Sequence, residues 1–458
     1  MNNLSTTSIP QLIQEKNSYA LGKILNSLSG FEIADQVAKM NKDNQVFAFS
    51  VLTNELAAST FEYLSPRVQK QTLRALPTLQ TAMILQTMHP DDRTALLEEL
   101  PPSIVGEYIK LLTNGERTLA ITLLGYPEDS VGRLMTTDYI TVKMDWTVEH
   151  VLDHIRAYGQ DSETVSIIYI VDDTGVLIDD IKIRQFLFAP KGYKVSQLTD
   201  KKFVALSVFD NDEKAINVFK QHDRTALPVT NAEGRLLGIV TIDDILRLAS
   251  EINTENIQKM GGTEALDEPY MEIPFLSLMK KRARWLIVLF FGELFTATAM
   301  GYFQDEISKA VVLALFLPLI ISSGGNAGSQ SSTLIIRAMA LGEVRLKDWW
   351  RVMKREILSG VFLGCVLGSI GFARVTVWSA VSDMYGEHWL LVALTLCLAL
   401  VGVVLWGSLS GSMLPLILRK LGADPATSSA PLVATLVDVT GIVIYFVIAI
   451  SILKRTLL

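Results

Sequence analysis

Five apolar runs near the C-terminal end constrain this chain more than any other feature. Residues 285–303, 310–334, 357–379, 389–418 and 431–453 each reach the roughly 20 residues needed to cross about 30 Å of hydrocarbon. In lipid the backbone must satisfy its own polar groups, so each run is predicted to be a spanning helix. The fourth is overlong, and a tilt or bend near Gly407 and Gly411 is expected. A chain of 458 residues exceeds one core, and the rest of it is expected to form further domains.

Charge divides the chain at the same place. Residues 1–274 carry 25 Lys/Arg against 38 Asp/Glu, a net −13, whereas residues 275–458 carry 16 against 10, a net +6. A wholly soluble protein is excluded. The acidic front argues against nucleic acid, because phosphate binding needs a basic face. Residues 1–30 lack a basic stretch followed by an apolar run, so the acidic part is expected to stay in the cytoplasm. Lys/Arg concentrate in 280–284, 337–355 and 419–420. The opposite loops hold Asp305, Glu306, Asp383 and Glu387, so the basic loops are placed inside and the C-terminus outside. Lys454 and Arg455 run against that rule. Trp349 and Trp350 beside a basic stretch read as an interfacial helix. Cys365 and Cys397 lie in apolar runs and read as packing residues.

The soluble part divides in turn. Residues 1–24 are polar and expected to be flexible. Residues 25–130 read as short helices. A turn-plus-helix pattern recurs after Leu64, Met88 and Leu112, and its period of 24–26 suggests an all-α helical superhelix. Residues 131–250 alternate β-branched runs with helices, as an α/β region does. YIVDDTG (169–175) matches PVTNAEG (228–234) at an offset of 59. This duplication resembles a tandem pair of cystathionine-β-synthase (CBS) domains. That resemblance implies that Gly238, Thr241 and Asp244 of GIVTIDD (238–244) belong to a nucleotide half-site, with ATP or another adenine nucleotide as the ligand. In the first copy Asp179, Lys182 and Gln185 stand at the matching places, so that half-site is eroded. Residues 251–283 read as a polar connecting helix, broken at Gly261-Gly262 and again around Pro269 and Pro274.

Two features of the membrane part carry chemistry. SSGGNAGSQ (322–330) follows Pro318 in the second run. Glycines and small polar residues at that depth read as a loosened helix whose carbonyls line a pore, with Gly325 and Asn326 in the lining. Asp438 lies inside the fifth run, where a carboxylate is costly. Ala430, Ala434, Asp438, Gly441 and Tyr445 form one small or polar stripe, which aims a single acid inward with Ala434 beside it. A carboxylate with carbonyls, hydroxyls and amides is a hard oxygen set, and no His or Cys cluster points to zinc or copper. Mg²⁺, held with most of its waters, fits such a set; Mn²⁺ or Co²⁺ is also allowed. Glu293 in the first run reads equally as a pathway group or as a hydrogen-bonded neutral acid, and Arg374 in the third as a snorkelling side chain. No nucleophile–base constellation or phosphate-binding loop is present, so an enzyme is not expected. A membrane-anchored nucleotide sensor is the rival reading, and the spans it predicts would lack Asp438.

The order of helical domain, CBS pair, connecting helix and five spans resembles the MgtE family of magnesium channels or transporters. GGNAGSQ (324–330) and PLVATLVDVTG (431–441) carry the resemblance most specifically. It implies a homodimer in the plasma (inner) membrane and a hydrated Mg²⁺ at Asp438. It also implies closure when Mg²⁺ neutralises acids between the cytosolic domains, here Asp91, Asp92, Asp243, Asp244, Glu251 and Glu255. No further protein partner is implied. Ser329 and Ala430 stand where the family often has Asn, and Arg247, Ile252 and Asn256 where acids are expected. Fewer acids imply weaker closure by Mg²⁺.

Overall fold

The computed structural model describes residues 9–271, 273–382, 385–454 and 456. Asp383 and Arg455, which entered the topology reading, lie outside the described residues. The chain forms two units, Met1–Glu251 and Ile252–Leu458.

The first unit opens with helices from Ile9–Gln14 to Asn114–Leu124. Residues 9–24 are therefore not loose. They form helices Ile9–Gln14 and Ser18–Leu25, which bury Leu12, Ile13, Ala20 and Leu21. Local chemistry sets the starts of several helices. Ser29 with Glu32 and Thr113 with Glu116 form reciprocal capping boxes, and Pro66, Pro90 and Pro102 occupy first helical positions.

The repeat has a structural cause that the turn motifs did not reveal. Gln45, Gln69, Arg93 and Arg117 stand 24 residues apart. Each donates to the carbonyl eight residues before it: Val37 at 3.2 Å, Phe61 at 2.8 Å, Leu85 at 3.1 Å and Ile109 at 3.1 Å. One polar side chain per repeat thus ties each helix to the one before, and Gln45 marks a copy that the turn pattern missed. Gln45 and Arg93 are buried, so these bonds also satisfy donors that water cannot reach.

The α/β region contains two three-stranded sheets, β1 (Thr141–Val142), β2 (Ile167–Val171), β3 (Leu177–Lys182), and β4 (Leu206–Ser207), β5 (Ala226–Thr230), β6 (Leu236–Thr241). In each the first pair is parallel and the second antiparallel. The matching turns end in Gly175 and Gly234, both at positive φ. Asp172 and Asn231 fold them by accepting from the backbone two and four residues on. A bridge between Val176 and Arg235 joins the copies turn to turn.

The connecting helix runs Ile242–Met260. It therefore starts earlier and stops sooner than the predicted 251–283. Gly262 at φ +74 ends it, and Pro274 caps the next helix.

Among the described residues of the second unit, five helices are long and apolar enough to span a membrane. The first is Phe275–Tyr302, the third Trp349–Ser379, the fourth Trp389–Lys420 and the fifth Ala430–Leu453. The second is split into Val311–Ala314 and Leu317–Ala340. Trp349 and Trp350 begin the third helix itself and form no separate interfacial helix.

The glycine-rich segment does not loosen the second helix, which runs unbroken from Leu317 to Ala340. The break falls before Pro318, where the Leu313 carbonyl accepts from the Phe316 amide at 3.2 Å and from the Tyr445 hydroxyl at 2.9 Å. The glycines serve close packing. A Cβ on Gly328 would lie 3.1 Å from the Gly407 carbonyl, and one on Gly324 2.8 Å from Val437. Third and fourth helices meet by the same device: Cβ atoms on Gly364 and Gly368 would lie 2.7 Å from Val401 Cα and 2.8 Å from the Cys397 carbonyl. The fourth helix contains Pro415, which removes one bond to the Gly411 carbonyl.

Candidate metal sites

The membrane site is built where the second and fifth helices touch. Gly325 is buried against the fifth helix, its Cβ direction 3.5 Å from Ala434 Cβ and 3.8 Å from Asp438 Oδ1. The predicted trio Gly325, Ala434 and Asp438 is thus brought together. Asn326 sits on the adjoining exposed face and donates to Ser322 Oγ at 3.4 Å. The first helix adds a second acid, Glu293, which lies beside Asp438 and accepts from Thr435 Oγ1 at 3.4 Å. Glu293 is therefore part of this constellation. Arg374 is not: it stacks on Trp378 at 3.6 Å. The substitutions at 329 and 430 meet each other, the Ser329 hydroxyl donating to the Ala430 carbonyl at 3.2 Å.

The second site is a cavity of about 330 Å³ in the first unit, lined among others by Glu55, Glu62, His89, Asp91, Asp92, Glu163, Asp243, Asp244 and Arg247. Four of the six predicted sensor acids meet there. Glu251 lies beside Arg247 and Glu99. Glu255 pairs with Lys259 at 2.6 Å in the second unit. Glu62, His89 and Glu163 were missed by sequence reasoning, since they come from distant segments that share no motif.

Burial raises the proton affinity of these acids. Burial and the nearby Asp92 push Glu62 up to about 8, and burial pushes Asp92 up to about 6. Asp91 and Asp244 are raised for the same first cause. His89 is driven up to about 11 by Asp138 and Glu163, whose carboxylate oxygens lie 3.4 and 3.0 Å from Nδ1. Arg247 sits among the acids, paired with Asp244 and 3.3 Å from Asp92. Asp91 Oδ1 and Glu163 Oε2 are both buried without a hydrogen-bond partner, and Glu163 Oε2 lies 3.0 Å from His89 Nδ1. Among the described residues no three His, Cys, Asp or Glu side chains converge at metal-ligand geometry. Arg247 occupies the space between the acids instead.

The three predicted nucleotide residues are each engaged within the protein. The Thr241 hydroxyl donates to Asp244 at 2.7 Å, and Asp244 is held by Arg247. Gly238 is required for packing, since a Cβ there would lie 2.7 Å from the Thr136 carbonyl. Asp179 is spent on the linker, accepting from Asp200 and Lys201 amides at 3.0 Å.

Comparison with known proteins follows this architecture segment by segment. The divalent cation transporter model matches residues 317–448, the MgtE intracellular N domain 28–129, and CBS domains 131–190 and 195–251. A magnesium transporter MgtE from Thermus thermophilus is 32% identical over 445 residues, covering 96% of this chain and 97% of the relative. The chain belongs to the MgtE family. An MgtE from Bacillus subtilis is 26% identical, covering 93% of the chain and 92% of the relative. The crystal structure of the cytosolic domain of a Mg²⁺ channel MgtE in complex with ATP is similar over 53% of this chain and 98% of that one, at TM-score 0.51 and 30% identity. The helical domain, the CBS pair and the five membrane helices are thus those of an MgtE protein, a transporter and not an enzyme, with its N-terminal domains in the cytosol.

Proposed function

We propose that this chain carries Mg²⁺ across the inner membrane as a homodimer, along a path whose binding group is Asp438. The observation that carries this is the placement of Asp438 against Gly325 and Ala434, with Glu293 as a second acid. Carboxylates and backbone oxygens suit an ion that keeps most of its water. Two copies on a twofold axis would present an Asp438 pair to one ion, with Asn326 in the lining. With the first helix entering from the cytosol and five crossings, the C-terminus lies outside.

The acidic cavity supplies regulation. A divalent cation there would be held by Asp91, Asp92 and Asp244 with Glu62. Arg247 already neutralises two of these acids, so the gain on binding Mg²⁺ is smaller and closure weaker. A cytosolic MgtE domain binds ATP. An adenine nucleotide at Gly238, Thr241 and Asp244 of this chain would first have to part the Thr241–Asp244 pair.

Mg²⁺ uptake by proteoliposomes containing the native chain and Asp438→Ala tests the path. A loss of about tenfold or more is expected, the measure of one lost charge-assisted contact. Native uptake by the variant would overturn the assignment. Competition by Mn²⁺ and Co²⁺ in the same assay ranks the ions.

A further inference from the structure

We propose that Lys259 is a built-in cation that latches the connecting helix to the root of the fifth membrane helix, bridging Glu255 and Asp424. Its ammonium lies 2.6 Å from Glu255 Oε1 and 2.7 Å from Asp424 Oδ2. The first carboxylate is on the connecting helix itself and the second is in the loop before the fifth helix. The Lys259 side chain is 26% exposed and its partners Glu255 and Asp424 are 45% and 38% exposed, so the bridge is shielded mainly on the lysine side. Burial alone would lower the proton affinity of this amine. Its hydrogen bonds to Asp424 and Glu255 more than offset that, and the charge is kept.

Asp424 is fixed at a point from which movement reaches the ion path. Its Oδ1 accepts from the Ala426 amide at 2.9 Å and its carbonyl from Thr427 Oγ1 at 2.6 Å, shaping the turn Pro425–Thr427. That turn leads to Ser428 and Ser429, both fully buried. The Ser428 carbonyl accepts from Ser332 of the second helix at 2.8 Å. Ser429 caps the fifth helix and accepts from Trp285 of the first at 3.2 Å. Gly262, just past the connecting helix, packs on Pro431 and Trp285; a Cβ there would lie 3.0 Å from each. Asp438 lies about two helical turns beyond this root.

A divalent ion between two carboxylates could make such a link only while its concentration was high. A tethered ammonium makes it at every Mg²⁺ concentration, so part of the closing contact is independent of Mg²⁺. The far end of the same helix carries Asp243, Asp244 and Arg247, which line the acidic cavity. Lys259 is thus a positioning residue for the gate, and the proposal rests on the fifth helix being a wall of the path.

Mg²⁺ uptake by the reconstituted full chain at low and high bathing Mg²⁺ tests the latch. Lys259→Gln is expected to raise uptake at high Mg²⁺ about fivefold, the lower end of typical coupling between sites. Lys259→Arg should keep native behaviour, and Asp424→Asn, which keeps the acceptor that shapes the turn but loses the charge, should raise uptake at high Mg²⁺ as Lys259→Gln does. Native uptake and native Mg²⁺ dependence in Lys259→Gln would overturn the proposal, as would native Mg²⁺ dependence in Asp424→Asn. Asp438→Asn in the same assay separates the two claims. If it conducts as the native chain does, the path is wrong. If it is inactive while Lys259→Gln is native-like, the latch alone is wrong.

Discussion

If Mg²⁺ binds in the acidic cavity as proposed, it competes there with protons on Glu62 and Asp92. Both carboxyls hold their protons more tightly folded than unfolded, Glu62 to about 8 and Asp92 to about 6. Their contribution to the stability of the metal-free fold is therefore complete at about pH 4 and below, and is lost as pH rises through 6 and then 8. Coordination needs the carboxylate form, so Mg²⁺ must displace those protons. The Mg²⁺ concentration giving half-protection of the soluble part from protease should fall by about tenfold between pH 6 and pH 8.5. Glu62→Gln should flatten that dependence. A midpoint independent of pH in the native chain would contradict this role.

At the scale of elements, the spans were legible because the bilayer imposes a length and a hydropathy that sequence displays directly. Their ends were less so. The first helix begins at Phe275, ten residues before the apolar run, because Lys280, Lys281, Arg282 and Arg284 are helical stems that hydropathy scores as loop. The glycines at 324, 325 and 328 illustrate the opposite failure. A glycine in a span weakens the helix locally but permits an approach to a neighbour, and only the neighbour's position shows which effect wins. Here the fourth and fifth helices lie against them, and the helix stays intact. The Asp438 environment was half legible: the stripe through Ala434 placed the acid, whereas Glu293 needed the packing of the first helix on the fifth. The cavity was least legible, since its acids come from four separated segments. Gly364→Ala tests the packing argument. The added methyl would meet Val401 Cα at 2.7 Å, backbone that cannot rotate away. Overpacking of this kind costs about 1–3 kcal/mol, read as a lower unfolding temperature in detergent. An unchanged transition would mean that the third and fourth helices do not depend on this approach.

The whole molecule divides its charge by task. The acidic first unit gathers carboxylates around Arg247, while the basic membrane unit keeps two acids, Glu293 and Asp438, where ions would pass. With Arg247 holding Asp92 and Asp244, and Lys259 holding Glu255 and Asp424, two internal cations already occupy places among the acids. Closure by Mg²⁺ should accordingly be shallow. Limited proteolysis of the full chain should reach complete protection only above millimolar Mg²⁺; complete protection at sub-millimolar Mg²⁺ would refute weakened sensing.

The most direct measurement is the concentration dependence of Mg²⁺ uptake by reconstituted native chain and Asp438→Asn, which keeps the shape of the side chain and removes its charge. Saturable uptake is expected in the native protein, with a loss of about tenfold or more at every concentration in the variant. Superimposable curves would contradict the assignment of Asp438 as the group that binds the passing ion.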